Sequence, residues 1–145
     1  MKTTYPKQTE VPQAWHLVDA KDQVLGRMAS RIARVLMGKH RPIYSPHFDT
    51  GEYVVIINAA QVKLTGVKRD KRVVRSHTGW MGGLREVPLS KMMNETPEAV
   101  VRLAIRRMLP KSKLGRAMIA KLKVYSGAEH PHGAQVPTPL DWTKV

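Results

Sequence analysis

The chain contains no cysteine. That absence excludes disulfides, iron–sulfur clusters and thiolate zinc sites together, and it fits a reducing compartment, with the cytoplasm as the expected location. Acids number only 11, and no pair among them stands out as a catalytic acid and base. Apolar runs such as Val54 to Ile57 fall far short of the roughly 20 residues that span a bilayer as a helix. The stretch from Met1 to Gln13 lacks an apolar h-region and is not Arg- and Ser-rich, so neither a secretory signal nor a transit peptide is expected. No G-x-S-x-G elbow, G-x-G-x-x-G loop, G-K-[ST] ending or H-E-x-x-H helix occurs, which leaves hydrolase, nucleotide-binding and metalloprotease readings without an anchor.

What the chain has in excess is positive charge. Its 145 residues include 25 Lys plus Arg, for a formal net charge of +14. Such an imbalance self-repels unless a polyanion neutralises it, and nucleic acid is the commonest such partner. The length fits one domain that buries roughly two thirds of its unfolded surface without a covalent staple.

The charge is concentrated between Arg102 and Gly127. Arg102, Arg106, Arg107, Lys111, Lys113, Arg116, Lys121 and Lys123 follow one another there with no Asp or Glu among them. Apolar residues recur between them at helical spacing (Leu103, Ala104, Met108; then Leu114, Ala117, Met118, Leu122), a pattern that docks one face on a core and leaves the other cationic. Pro110 lacks a backbone donor, so the spacing predicts two basic helices meeting at a bend. Thr96, Pro97 and Glu98 mark the start of the first helix as N-cap, first-turn proline and first-turn acid.

Earlier in the chain, Met1 to Ala14 reads as an extended arm and Trp15 to Asp19 as a buried strand. From Val24 to Met37 the apolar residues take helical spacing, with Gly38 the expected C-cap. Arg27, Arg31 and Arg34 share another face of that helix. With no carboxylate between Val24 and Phe48, they read more simply as a phosphate-facing ridge continuing into Lys39, His40 and Arg41 than as a solvated face. Residues 42–52 form a loop, and Tyr53 to Asn58 is a β-branched run typical of a strand buried on both faces. Strand, helix, loop and strand together predict a right-handed βαβ unit.

Lys63 to Gly66 reads as a further short strand. Lys68, Arg69, Lys71, Arg72 and Arg75 then gather around the single acid Asp70, and Val73-Val74 begins a strand leading to the Gly-rich loop His77 to Gly83. Trp80 in that loop either stacks on RNA, beside His77, or packs on the protein's own surface. Residues 128–145, with three prolines, should run extended over the surface. His130 and His132 with His47 and Glu129 form a poor metal framework, because an i, i+2 pair across a proline does not reliably converge. No cofactor is expected.

Several motifs stand in an order that resembles a known family: W-H-L-V-D-A (15–20), L-G-R-M-A (25–29), G-K-H-R (38–41), Y-S-P-H-F-D-T-G-E-Y (44–53), H-T-G-W-M-G-G (77–83), and M-L-P-K-S-K-L-G-R-A-M followed by L-K-V-Y-S-G (108–127). From Trp15 to Gln135 the chain is similar to the bacterial form of the L-thirteen (uL-thirteen) family of large-subunit ribosomal proteins. Trp80 and Met81 fill positions that vary in that family, and the C-terminal end is slightly longer. The resemblance implies a three-layer α/β/α domain over residues 15–127, built around a small, mostly parallel sheet of about four strands. It also implies a structural, non-catalytic role that binds large-subunit rRNA early in assembly.

The expected RNA contacts are Arg27, Arg31, Arg34, Lys39, His40, Arg41, Lys68, Arg69, Arg72, Arg75, His77, Trp80, Arg106, Arg107, Lys111, Lys113, Arg116, Lys121 and Lys123. Neighbouring ribosomal proteins are expected partners and messenger RNA a further candidate. No homo-oligomer is expected. The alternatives are a free-standing nucleic-acid binder or messenger-RNA repressor, and an α/β enzyme acting on a nucleotide, which only the parallel-sheet pattern favours.

Overall fold

In the computed structural model, residues 11–140 and Trp142 are described. Most of the expected amino-terminal arm, and positions 141 and 143–145, lie outside them. Strand β1 (Trp15–Asp19) and strand β2 (Tyr53–Ile57) run parallel, with Trp15 opposite Tyr53 and Val18 opposite Ile56. Helix α1 (Leu25–Met37) connects them, giving the expected β-α-β order. It ends where Gly38 turns left-handed at φ 79° and donates its N–H to the carbonyls of Arg34 and Val35. A side chain here would be strained by that backbone and would lie 2.3 Å from Oγ1 of Thr50, so glycine is what lets the next loop fold back on the helix end.

After β2 and a 3₁₀ turn at Ala59–Gln61, the chain forms the short helix α2 (Lys68–Lys71) and the antiparallel hairpin of β3 (Val73–His77) and β4 (Leu84–Pro88). Helices α3 (Leu89–Glu95), α4 (Pro97–Met108) and α5 (Lys113–Ala120) follow. Strand β5 (Leu122–Val124) then pairs parallel to β2, and after a 3₁₀ turn at Gly133–Gln135, β6 (Thr138–Pro139) pairs parallel to β1. The sheet order is β5-β2-β1-β6, an α/β fold with the small parallel sheet that was expected.

One core joins the helices to one face of this sheet. Ile32 and Leu36 of α1, Val101 and Ile105 of α4, and Met118 of α5 are all buried with Val18, Val54, Ile56 and Leu122 from the strands. Pleating sends Trp15, Tyr53 and Val55 to the other face. There Trp15 stacks on Tyr53 with ring centroids 4.3 Å apart, and His132 packs against Trp15 at 5.2 Å. Val55 is fully buried. The N–H of Leu140 donates to the carbonyl of Leu17, which continues the pairing of β6 along the β1 edge of the sheet.

Three local expectations need correction. Residues 122–124 are strand, not the end of the second basic helix: α5 closes at Ala120, and Leu122 sits in register with Val54. A fully buried place on the sheet edge outweighs the residue's helical spacing. Residues 63–66 form no strand, only a single bridge from Lys63 to Val24, because no longer segment runs beside them. Finally, Thr96 occupies the expected cap position of α4 but makes no side-chain bond to it, and Glu98 accepts instead from the N–H of Ser126.

Candidate nucleic-acid interface

The bend between α4 and α5 is built by close packing. Pro110 ends the first helix, and Ser112 starts the second by accepting the N–H of Gly115 at 3.3 Å. Gly115 is buried with its α-carbon so near residue 110 that an added methyl would lie 1.8 Å from the Pro110 carbonyl oxygen. Only glycine permits that approach. Leu109 and Met118 are buried beneath the bend, while Arg106, Lys111, Lys113 and Arg116 are exposed. Arg106, Lys111 and Arg116 surround a depression of about 440 Å³, and no acid lines it. Met108, expected to help fasten the helix, is instead largely exposed at 42%.

Arg106 and Arg107 separate at the end of α4. Successive helical residues point about 100° apart, so Arg107 turns away from the depression and, with Arg27, Lys68 and Arg72, rims an open cleft on the other side of α4. Arg27, Arg31 and Arg34 remain exposed along α1, with the Arg31 guanidinium 5.5 Å from the centre of the Trp142 ring. Arg69 is exposed on α2. Lys39 is exposed and reaches over the Tyr44 ring at 6.0 Å.

The hairpin carries Trp80 and Met81 at its tip, 78% and 94% exposed, so the tryptophan is not packed on the protein's own surface. The tip is closed by the Thr78 N–H on the Gly83 carbonyl and the Gly83 N–H on that of Trp80. His77 is exposed beside it and accepts the N–H of Gly79 at Nδ1. Arg75 is exposed but pairs with Glu86 at 2.6 Å. Arg85 and Lys63, both exposed, were missed. Arg85 lies past the Gly-rich loop in a stretch to which no element was assigned, and Lys63 in what read as a strand.

Lys121, His40, Arg41 and His16 make ion pairs within the fold. Lys121, expected on the RNA face, is only 6% exposed, and its Nζ pairs with Oδ1 of Asp49; it leaves the candidate surface because its charge is already matched inside the protein. His40 and Arg41, half-buried, converge with His16 on Glu52. Both imidazole Nε2 atoms meet Oε2, at 2.7 Å from His16 and 2.8 Å from His40, and the Arg41 guanidinium bonds Oε1. Burial works against the Glu52 charge, but the hydrogen bond from His16 and the charges of His16, Arg41 and His40 outweigh it and hold the carboxyl below the usual glutamate range. Arg41 also donates to the Pro12 carbonyl. Lys123 is half-buried on β5.

His132 bonds the Tyr125 hydroxyl at 2.8 Å. Among the described residues no group of three or more His, Asp or Glu could hold an ion, and no helix is long and apolar enough to cross a membrane.

Residues 13–131 match the family model described as "Ribosomal protein L13". Curated relatives are similar along their whole length. The large ribosomal subunit protein uL13 of Thermobifida fusca is 50% identical over all of this chain and 97% of its own. That of Streptomyces coelicolor is 51% identical over 100% and 99%, and that of Thermotoga maritima 51% identical over 97% and 94%.

Proposed function

Because the chain belongs to the ribosomal protein L13 family, and so to the large ribosomal subunit, we propose that it binds large-subunit rRNA through its exposed cations and joins the subunit early in assembly, as a structural component in the cytoplasm. The observation that carries this reading is the acid-free depression at the α4–α5 bend, where Arg106, Lys111 and Arg116 stand on a backbone held rigid by Gly115 and Pro110. Preset cations lose little freedom on meeting phosphate and release the counterions condensed on RNA. The ridge of α1 and the exposed cations of α2 add further positive charge on the other side of α4.

Binding of the full chain to a large-subunit rRNA transcript tests it. With six or more phosphates neutralised, affinity should fall about a thousandfold or more between low and moderate salt, and Arg116→Glu should weaken binding with little loss of melting temperature. A flat salt dependence would overturn the reading. Depletion of the protein should also stall early large-subunit precursors. Sedimentation mainly in the soluble fractions of a gradient would favour a free-standing nucleic-acid binder instead.

A further inference from the structure

The cleft rimmed by Arg27, Lys68, Arg72 and Arg107 differs in kind from the rest of the cationic surface. It encloses about 400 Å³, and its floor is apolar: Leu25, Leu64 and Ala104. A smaller cavity of about 50 Å³ shares that floor and reaches inward to Val100 and Leu103. No acidic residue lines either one. The volume lies in the range of small-ligand sites, which are apolar with a few convergent polar groups.

Residues 24–27 follow β1 and residues 63–65 follow β2, and the two segments are joined by the Val24–Lys63 bridge. The cleft therefore lies beyond the carboxyl ends of two adjacent parallel strands. The first turn of α1, which opens on it, has no side-chain cap and no acid.

We propose that this cleft takes a single unpaired nucleotide of the bound RNA, its base on Leu64 and Ala104 and its flanking phosphates on the arginines and lysine of the rim. A duplex backbone presents phosphates on a convex surface and has no use for an apolar floor. A nucleotide turned out of a loop offers both a flat apolar face and two phosphates, and proteins read RNA chiefly at such unpaired positions. The inference rests on the rRNA-binding reading and specifies one contact within it.

Gly26 provides a direct test. It lines the cleft, is exposed, and an added Cβ would meet nothing within 4 Å, so Gly26→Phe starts a bulky side chain at the cleft with no backbone clash. The variant should melt as the parent does and bind the rRNA transcript about tenfold more weakly with an unchanged salt slope, since no cation is lost. Arg107→Gln should weaken binding and also reduce the slope by about one phosphate. Nucleoside monophosphates titrated into the full chain should shift the Leu64 and Ala104 methyl resonances saturably, and inorganic phosphate alone should not. Parent-like RNA affinity of Gly26→Phe, or equal methyl shifts with phosphate alone, would overturn the proposal while leaving rRNA binding intact. If the parent chain fails to bind the transcript at all, the broader reading falls with it.

Discussion

The ammonium group of Lys121 sits 2.5 Å from Oδ1 of Asp49, joining the last residue before β5 to the loop that precedes β2. With its side chain only 7% exposed, this lysine belongs to the fold rather than to the cationic surface.

Lys121→Ala should therefore behave unlike any substitution on the cationic surface. Removing one partner of a buried ion pair leaves the other charge unmatched and costs about 3 kcal/mol, although Asp49 retains some access to water at 23%. Chemical denaturation should show that loss. At a temperature where the variant is folded, rRNA affinity and its salt slope should match the parent. A reduced slope with unchanged stability would return Lys121 to the interface.

The Glu52 cluster predicts a pH dependence with a definite sign. Glu52 loses its proton more readily in the folded chain than at the ordinary value of 4.5. Its contribution is thus fully present above that value and is lost as pH falls through the lowered folded-state value. Glu52→Gln should cost about 3 kcal/mol near neutral pH, because His16, His40 and Arg41 lose their shared anion. The gap to the parent should shrink as the solution is acidified. Urea midpoints for both chains across that range decide it, and a gap that widens in acid would refute the assignment.

These two clusters also mark where the sequence stops being legible. The β-α-β core could be read directly, since Val54 and Ile56 form a β-branched run and Ile32 and Leu36 keep helical spacing. Gly38 and Pro110 punctuated the chain where the structure places a left-handed cap and a bend. Lys121 could not be read, because its partner lies 72 residues away and a basic run looks the same whether one member is buried or not. His40 and Arg41 looked like a continuation of the α1 ridge for the same reason. Leu122 satisfied a helical period by coincidence, and only its register with Val54 shows that it is strand. The cleft at Arg27 and Arg107 was invisible because it assembles residues from four separate segments.

Gly115→Ala tests whether the bend is rigid. The added methyl would stand 1.8 Å from a backbone oxygen, and backbone has to move to relieve that contact. The cost should be about 1–3 kcal/mol, visible as a drop in melting temperature of roughly 2–4 °C per kcal/mol for a chain of this size. Rotating α5 also displaces Arg116 relative to Arg106, so rRNA affinity should fall at temperatures where the variant is folded. An alanine variant with parental stability and affinity would mean that the two helices are free to adjust and that the cationic corner is not preset.

Trp80 separates stacking from charge. At the exposed tip of a hairpin whose strands are themselves mostly exposed, its removal leaves no cavity, so Trp80→Ala should change stability by less than about 0.5 kcal/mol. If the ring stacks on an RNA base, the loss in binding should be about 1–3 kcal/mol, near tenfold or more in Kd. Because no cation is removed, the salt slope should remain that of the parent. Trp80→Phe, which retains an aromatic face, should recover much of the affinity. Equal weakening by phenylalanine and alanine would instead point to the indole N–H or to a ribosomal-protein neighbour at this tip, and an unchanged Kd in both variants would remove the hairpin from the RNA interface.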